Sequence, residues 1–532
     1  MEESLLPTND LLNIKTASEW ASNYIKKQVT TSNISYLIQY GLITKFSENS
    51  TIKVSKAELT NYYDNFTTER EVSWKEQLGN DLNWALSFDK YKESETTKHV
   101  HRLHPYKGKF IPQLVEYFLD SHTDSFKQNI YFKPGDIILD PFAGSGTTLV
   151  QACELGMHSI GVDVSDFNAQ ITTAKLTKYD LVDIHNEIKK ITDKLKIFLQ
   201  NSPVVEFEQK LLAELFEFNS KFFPTPDYRY KLKRKEIDEK SYGIEKEKEF
   251  LSIYYKLLDE HKIQLHQNKA DTFLDKWYSK HIRDEIEVVL SEINKIKNSS
   301  TYNIIRIILS RTIRSCRATT HSDLATLIEP VTATYYCTKH GKICKPLFSI
   351  IKWWESYSKD TIKRLVEFDK LRTKTWQVCL SGDSRTIDIV TELNKFQGEF
   401  ANLVCNQKIK GIFSSPPYVG LIDYHQQHAY AYDLFEIDRR DKLEIGSLQQ
   451  GQSQEAKQNY TQAIADVLNN CKRFLAANYD VFLVANDKYN LYPTIAEFSG
   501  MQIVNKYKRP VLNRTERDKA AYSEVIFHFK AR

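Results

Sequence analysis

Residues 135–168 read "GDIILDPFAGSGTTLVQACELGMHSIGVDVSDFN". Ile137, Ile138 and Leu139 form a short apolar run, the pattern of a strand buried on both faces. Gly144-Ser145-Gly146 follows as a loop, Thr147 to Leu155 as a helix, and His158 to Val162 as a second strand ending at Asp163. The acid lies 19 positions beyond the first glycine. In a Rossmann-like unit glycines let a ligand approach the backbone, and an acid at the tip of the second strand binds ribose hydroxyls. Leu149 occupies the place of the third glycine of the dinucleotide pattern, so the loop suits a nucleoside without phosphates better than a pyrophosphate. A lone Gly-x-Gly is also compatible with a generic crossover turn.

Two further strand tips lie far downstream. "TWQVCLSGDSRTI" (375–387) gives a strand at Val378 to Leu380 that ends in Gly382-Asp383-Ser384. "IKGIFSSPPY" (409–418) gives another, stopped by two prolines that cannot donate to a sheet ladder. In isolation S-P-P-Y means a turn or a polyproline segment. At a strand end, downstream of the glycine loop, it places a serine, a stiff backbone and an aromatic ring together.

"DPFAGSGTT" (140–148) followed by S-P-P-Y closely resembles the S-adenosylmethionine (SAM) dependent methyltransferases that modify exocyclic amines of DNA bases. The resemblance implies an α/β fold built on a Rossmann-like sheet. It implies that Asp140, Phe142, Gly144, Gly146 and Thr147 line the methionine end of SAM and that Asp163 holds the ribose. Lys109 and Phe110, in "HRLHPYKGKFIPQLVEYFLD" (101–120), resemble the preceding SAM-contact motif, in which the chain folds back over the methionine moiety. Asp383 matches the residue that accepts a hydrogen bond from the adenine amino group; its other reading is a helix N-cap.

The reaction accounts for the residue types. An exocyclic amine is a poor nucleophile because its lone pair is delocalised into the ring, and two acceptors on its two hydrogens raise its sp3 character. Ser415 offers a hydroxyl oxygen and Pro416 a carbonyl; Pro417 restrains Pro416, and Tyr418 offers a face on which a flipped base can stack. Cytosine C5 chemistry would need a cysteine nucleophile at a strand tip, and the sequence has no Pro-Cys pair there. Serine at this position leans towards N4 of cytosine, with N6 of adenine second. An RNA amine methyltransferase and an inactive DNA-binding regulator are further alternatives. "LIDYHQQHAYAYDLFEI" (421–437) reads as a helix, and the resemblance puts Tyr424, His425 and His428 near the target base. A packed amphipathic helix is the other reading. Asp487 is a candidate for the pocket wall, and "YDVFLVAND" and "SEVIFHFKA" supply further strands.

Residues 181–375 form a mainly helical, Lys/Glu-rich insertion far longer than an ordinary connection, and thus the natural target-recognition region. Arg306, Arg311, Arg314 and Arg317 fall within about three helical turns, a track for DNA phosphates or a solvated basic face. "CTKHGKIC" (337–344) has zinc-ligand types at Cys337, His340 and Cys344, with Cys316 or His321 as the candidate fourth, and no metal is assigned. Residues 16–46 suggest two helices joined by a "TTSN" turn whose serine or asparagine caps the second, followed by a β-ribbon. This resembles the winged helix-turn-helix of excisionase-type and MerR-like proteins, with Lys26 and Lys27 at a phosphate backbone or in water. A helical interaction module is the alternative. The expected organisation is a helix-turn-helix-like module over 1–68, the SAM-binding first part of the catalytic domain over 69–180, the insertion, and the S-P-P-Y part over 376–532.

Composition sets bounds on the partners. Apolar residues make up 41% of the 532, enough for real cores, and 73 basic against 69 acidic side chains leave a net charge of only +4. Double-stranded DNA must therefore meet a local basic face rather than a global field. Seven isolated cysteines fit a reducing compartment. With no membrane-span run and no signal-like start, the expectation is a cytoplasmic monomer, with a cognate restriction endonuclease as a possible partner.

Overall fold

The computed structural model describes residues 10–25, 28–39, 41–48, 51–67, 69–267, 272–321, 327–512 and 521–532. Its central sheet has seven strands: β1 (Ile137–Asp140), β2 (His158–Asp163), β3 (Gln377–Ser381), β4 (Ile409–Ser414), β5 (Leu475–Ala485), β6 (Met501–Pro510) and β7 (Ser523–Ala531). In space they run β3-β2-β1-β4-β5-β7-β6. The first five are mutually parallel, and β7 lies antiparallel between β5 and β6. Strand order reverses between β1 and β4, and the carboxyl ends of those two strands open a crevice of the kind that binds ligands in such sheets.

The apolar run that predicts β1 is buried along its whole length, as a central parallel strand requires. Helix Thr147–Glu154 covers it, entered through Gly146 at φ +74. Helix Pro112–Leu119 starts on a proline, whose missing N–H would have no helical partner there, and is buried on nearly all sides rather than amphipathic. β6 is the strand missed by sequence reasoning. It is an edge strand carrying Lys506, Lys508 and Arg509 and a register shift after Ile503, which blur the period-two pattern.

The insertion is helical, as expected, but its side chains form two cores. Helices Leu181–Gln200, Lys280–Ile293, Ser299–Ser315 and Ile351–Asp369 pack with helix Asp166–Leu176 of the sheet domain around Ile191, Ile286, Ile308 and Trp354. Helices Val204–Phe222 and Glu239–Glu260 pack around Phe207, Phe250 and Tyr254, with a hairpin of Tyr335–Cys337 and Lys342–Cys344 against them.

At the N-terminus, helices Ile14–Tyr24 and Thr31–Gln39 precede the ribbon Phe46–Glu48 and Thr51–Ser55, and strand Leu11–Asn13 pairs with Thr51–Ser55. The second helix is capped by Thr30 rather than by a serine or asparagine. The Asn33 amide donates to the Thr30 hydroxyl at 3.2 Å and the Thr30 amide to the Asn33 side chain at 2.8 Å. Lys26 and Lys27 lie outside the described residues. No described helix is long and apolar enough to cross a membrane.

Candidate active site

Asp140 ends β1 with a fully buried side chain. Its Oδ1 accepts from the Phe142 amide at 3.1 Å and from Ser414 Oγ, at the tip of β4, at 2.5 Å. Burial pushes its carboxyl up to about 6, against those hydrogen bonds. Asp163 ends β2 and accepts from the Gly144 amide at 2.7 Å, the Ser165 amide at 2.9 Å and Asn168 Nδ2 at 3.1 Å. It too is raised to about 6 by burial. A carboxylate offers about four acceptor positions, so three donors leave Asp163 able to take one more.

Both loop glycines have left-handed backbones, φ +52 at Gly144 and +74 at Gly146. A Cβ on Gly146 would fall 2.5 Å from the Thr172 methyl, and one on Gly144 would fall 3.0 Å from the Tyr106 ring. Tyr106 therefore lies directly over the loop, and the segment from Tyr106 to Phe110 runs along the crevice. Tyr106 stacks on Tyr424, with ring centroids 5.8 Å apart. Lys109 Nζ donates to the His101 carbonyl at 2.7 Å, and burial lowers its amine to about 8.

These groups enclose a cleft of about 810 Å³, counting its open mouth. Of the residues the sequence nominates, Lys109, Phe110, Asp140, Phe142, Gly144, Thr147, Asp163, Asp383, Ser415, Pro417 and Tyr424 line it; Gly146 shapes the loop from behind. The lining holds four acids, Asp140, Asp163, Asp383 and Glu444, against one lysine. That imbalance disfavours a phosphate and suits a ligand bearing ammonium and sulfonium charges, so the residues present fit SAM.

Asp383 follows β3 as expected, but its carboxylate is forked by the Arg385 guanidinium at 2.7–3.0 Å and is held below the usual carboxylate range, burial being outweighed by those bonds. It is not a helix N-cap, because Asp388 caps the next helix. At the tip of β4, Ser415 Oγ donates to the Val484 carbonyl of β5 at 3.0 Å. The Pro417 carbonyl accepts from the Tyr460 hydroxyl at 2.9 Å, and the Tyr418 hydroxyl donates to Glu524 at 2.7 Å. Pro416 and Tyr418 stand beside the cleft rather than on its lining.

A model of the N6/N4 DNA methylase family matches residues 12–174. Over 529 residues the chain is 47% identical to the type II methyltransferase M.MjaII of Methanocaldococcus jannaschii, with 98% of each chain covered. The chain belongs to the DNA methylase family. Shorter similarities reach the type II methyltransferase M.MvaI of Kocuria varians, 35% over 98 residues, 18% of this chain and 20% of that one. A tRNA (guanine(10)-N2)-dimethyltransferase of M. jannaschii is 40% identical over 68 residues, 13% of this chain and 19% of that one. The methylase is an amino-methyltransferase of DNA whose methyl donor is SAM.

The residues expected to touch DNA need correcting in the methylase. The four arginines do not form an exposed track. Arg311 is 4% exposed, pairs with Asp360 at 2.7 Å and lies over the Tyr357 ring. Arg317 is buried over Tyr430, with Nε donating to the Arg314 carbonyl at 2.9 Å. Arg306 is half-buried between the rings of Tyr302 and Phe435, and Arg314, further along the same helix, is half-buried. Helix Ser299–Ser315 buries isoleucines on most sides, and aromatic or acidic partners inside the lobe take up the guanidinium groups of Arg306, Arg311 and Arg317.

The helix expected over 421–437 breaks at His428 into Tyr424–Gln427 and Ala429–Leu434. His425 and His428 are both fully buried. His425 bonds Glu444 through Nδ1 and accepts from the Arg440 amide at 3.2 Å. His428, lowered to about 3 by burial and then by Arg314, contacts the Tyr430 hydroxyl at 3.2 Å. They brace the cleft from within, and of the three nominated residues only Tyr424 reaches its surface. Asp487 accepts from the Leu491 amide at 2.6 Å and the Tyr492 amide at 3.3 Å at the start of helix Tyr492–Phe498, and is not among the residues that line the cleft. Sequence reasoning missed Glu444 on the cleft and Glu524 behind Tyr418, because each acts on a residue distant in the chain and neither sits in a recognisable motif.

Proposed function

We propose that this methylase transfers a methyl group from SAM to the exocyclic N4 amine of a cytosine flipped out of double-stranded DNA. The observation that carries the reading is Ser415. Its one proton is committed to the Val484 carbonyl, so towards the cleft its oxygen acts purely as an acceptor. SAM, held by the acids and the glycine loop, supplies an electrophilic methyl group. Ser415 Oγ and the Pro416 carbonyl are the two acceptors for the two hydrogens of the amine. Pro417 has no amide hydrogen to compete for them, and Tyr460 anchors its carbonyl, which keeps the turn stiff. Tyr418, fixed at its hydroxyl by Glu524, offers a ring for the target base. Base–aromatic stacking worth about 1–3 kcal/mol offsets part of the few kcal/mol needed to unstack the base.

A serine rather than an acid at this tip supports cytosine over adenine. The helical insertion serves as target-recognition region and the N-terminal module as a second DNA reader, in a restriction–modification setting with a cognate endonuclease. Incubation with labelled SAM and DNA of varied sequence, followed by nucleoside mass spectrometry, should yield N4-methylcytosine. N6-methyladenine as the sole product overturns the choice of base, and label in RNA alone overturns the substrate class.

A further inference from the structure

Outside the lining of the cleft, the insertion brings together four residues with ligand chemistry. His321, Cys337, His340 and Cys344 each offer one donor atom, and the four atoms lie within 4.8 Å of one another. His340 Nδ1 lies 3.6 Å from Cys337 Sγ and 3.4 Å from Cys344 Sγ. A tetrahedral zinc with bonds of ~2.3 Å to sulfur and ~2.1 Å to nitrogen has S···N edges of ~3.6 Å, so these spacings already match such a polyhedron. We propose that the methylase carries a structural zinc ion bound by His321, Cys337, His340 and Cys344.

Three further observations belong to such a site. Cys337 and Cys344 are buried free thiols, and the strands carrying them pair Cys337 with Lys342 and Cys344 with Tyr335, so the two cysteines are not cross-strand partners. The turn between those strands is tight: the His340 and Gly341 amides both donate to the Cys337 carbonyl, and Gly341 has φ +63. Backbone amides folded over one cysteine and a left-handed glycine bring the Cys337 and His340 side chains to the same side. Finally, His321 Nδ1 lies 2.7 Å from the Tyr335 hydroxyl, which fixes the ring and leaves Nε2 for a metal. Cys316, the other candidate for the fourth ligand, is buried in the isoleucine core instead.

The site ties together two segments of the insertion. His321 follows the arginine-bearing helix, while the hairpin lies on the second core of the insertion. Arg229 Nη2 donates to the carbonyls of Thr338 and Lys339 in the hairpin turn, at 3.1 and 3.0 Å. On the same short helix, the Tyr230 hydroxyl accepts from the Lys45 amide of the N-terminal module at 3.1 Å. The metal would thus fix the turn on which the Arg229 helix, and through it the N-terminal module, is seated.

The test is metal analysis of the full chain, grown with zinc and purified without chelator. One zinc per chain is expected, and growth with cobalt should give a thiolate-to-cobalt charge-transfer band and the intense d–d absorption of a tetrahedral ion. Cys344→Ser and His340→Ala should lose the metal, and Cys316→Ser should keep it. Should those variants fail to fold, chelation of the wild type should release one zinc and make two buried thiols reactive, and zinc should reverse the change. Wild-type chain that takes up no zinc, full zinc in Cys344→Ser, or a Cys337–Cys344 disulfide in the purified chain would each overturn the proposal.

Discussion

Ser415→Ala isolates the acceptor at the tip of β4. The substitution removes the oxygen 3.0 Å from the Val484 carbonyl and leaves the glycine loop, Asp163 and Lys109 untouched. A preorganised hydrogen-bonding group aimed at developing charge contributes about 2.7–4 kcal/mol to the transition state. At about 1.36 kcal/mol per decade, kcat should fall about 100- to 1,000-fold. The dissociation constant of SAM should stay within about twofold, since the lost contact forms only as the nitrogen pyramidalises. The buried Val484 carbonyl loses its donor, so a stability cost of about 1–3 kcal/mol is expected as well. Ser415→Thr, which keeps the hydroxyl, should recover most of the rate. The assay is single-turnover methylation of duplex DNA, with SAM binding measured separately by titration. A Ser415→Ala enzyme with kcat within about threefold of wild type, or with SAM affinity falling as far as kcat, refutes the role of the hydroxyl.

Three other outcomes follow from the geometry. Protonation of Asp140 and Asp163 contributes stability to the ligand-free chain that is complete below the ordinary carboxyl value and is lost as pH rises through about 6. A cationic ligand needs both ionised, so SAM affinity measured by titration should weaken below pH 6, approaching tenfold per pH unit per proton taken up, and a flat profile from pH 5 to 7 refutes this. Gly146→Ala puts a methyl 2.5 Å from Thr172 at a left-handed φ; it should cost about 2–4 kcal/mol in denaturant unfolding and be partly rescued by Thr172→Ser. Arg311→Ala removes one of Asp360's two arginine partners, Arg364 Nε remaining at 2.8–2.9 Å from both carboxylate oxygens, and should cost about 1.5–3 kcal/mol of stability, while the salt dependence of DNA binding stays unchanged. A slope reduced by about one unit would restore Arg311 to the phosphate contacts.

The cofactor side of the molecule was legible because its signals are local. The apolar run of β1, the glycine pair and the acid at the tip of β2 all fall within residues 135–168, and the structure realises each within a residue or two. The strands ending at Asp383 and Ser415 were equally plain, since a turn or a proline pair ends each one. Charge was a poor guide. Arg306, Arg311, Arg314 and Arg317 look like a surface stripe until Phe435, Tyr357, Tyr430 and Asp360, which receive Arg306, Arg311 and Arg317 from elsewhere in the chain, are known. His425 and His428 misled for the same reason, because burial depends on what packs above them. β6 escaped because an edge strand need not alternate: Val504, Asn505 and Lys506 are exposed in succession next to the register shift after Ile503, which masks its period.

The insertion also divides the lining of the cofactor cleft between two distant parts of the chain. β2 and β3 are hydrogen-bonded neighbours, Asp163 opposite Ser381, yet residues 164–376 separate them in the chain. The entropy of closing so long a loop grows only logarithmically with length, but the contact is slow to find if the intervening residues remain unstructured. The first core of the insertion packs Phe167 and Ile171, just after β2, with Leu365 and Phe368, just before β3, and so holds the two ends of the insertion in one cluster. During synthesis a chain that has just passed Asp163 already carries the glycine loop but has neither Asp383 nor the tip of β4. The cofactor cleft is thus lined from both sides of the insertion, and a nascent chain that ends before Asp383 holds only part of that lining.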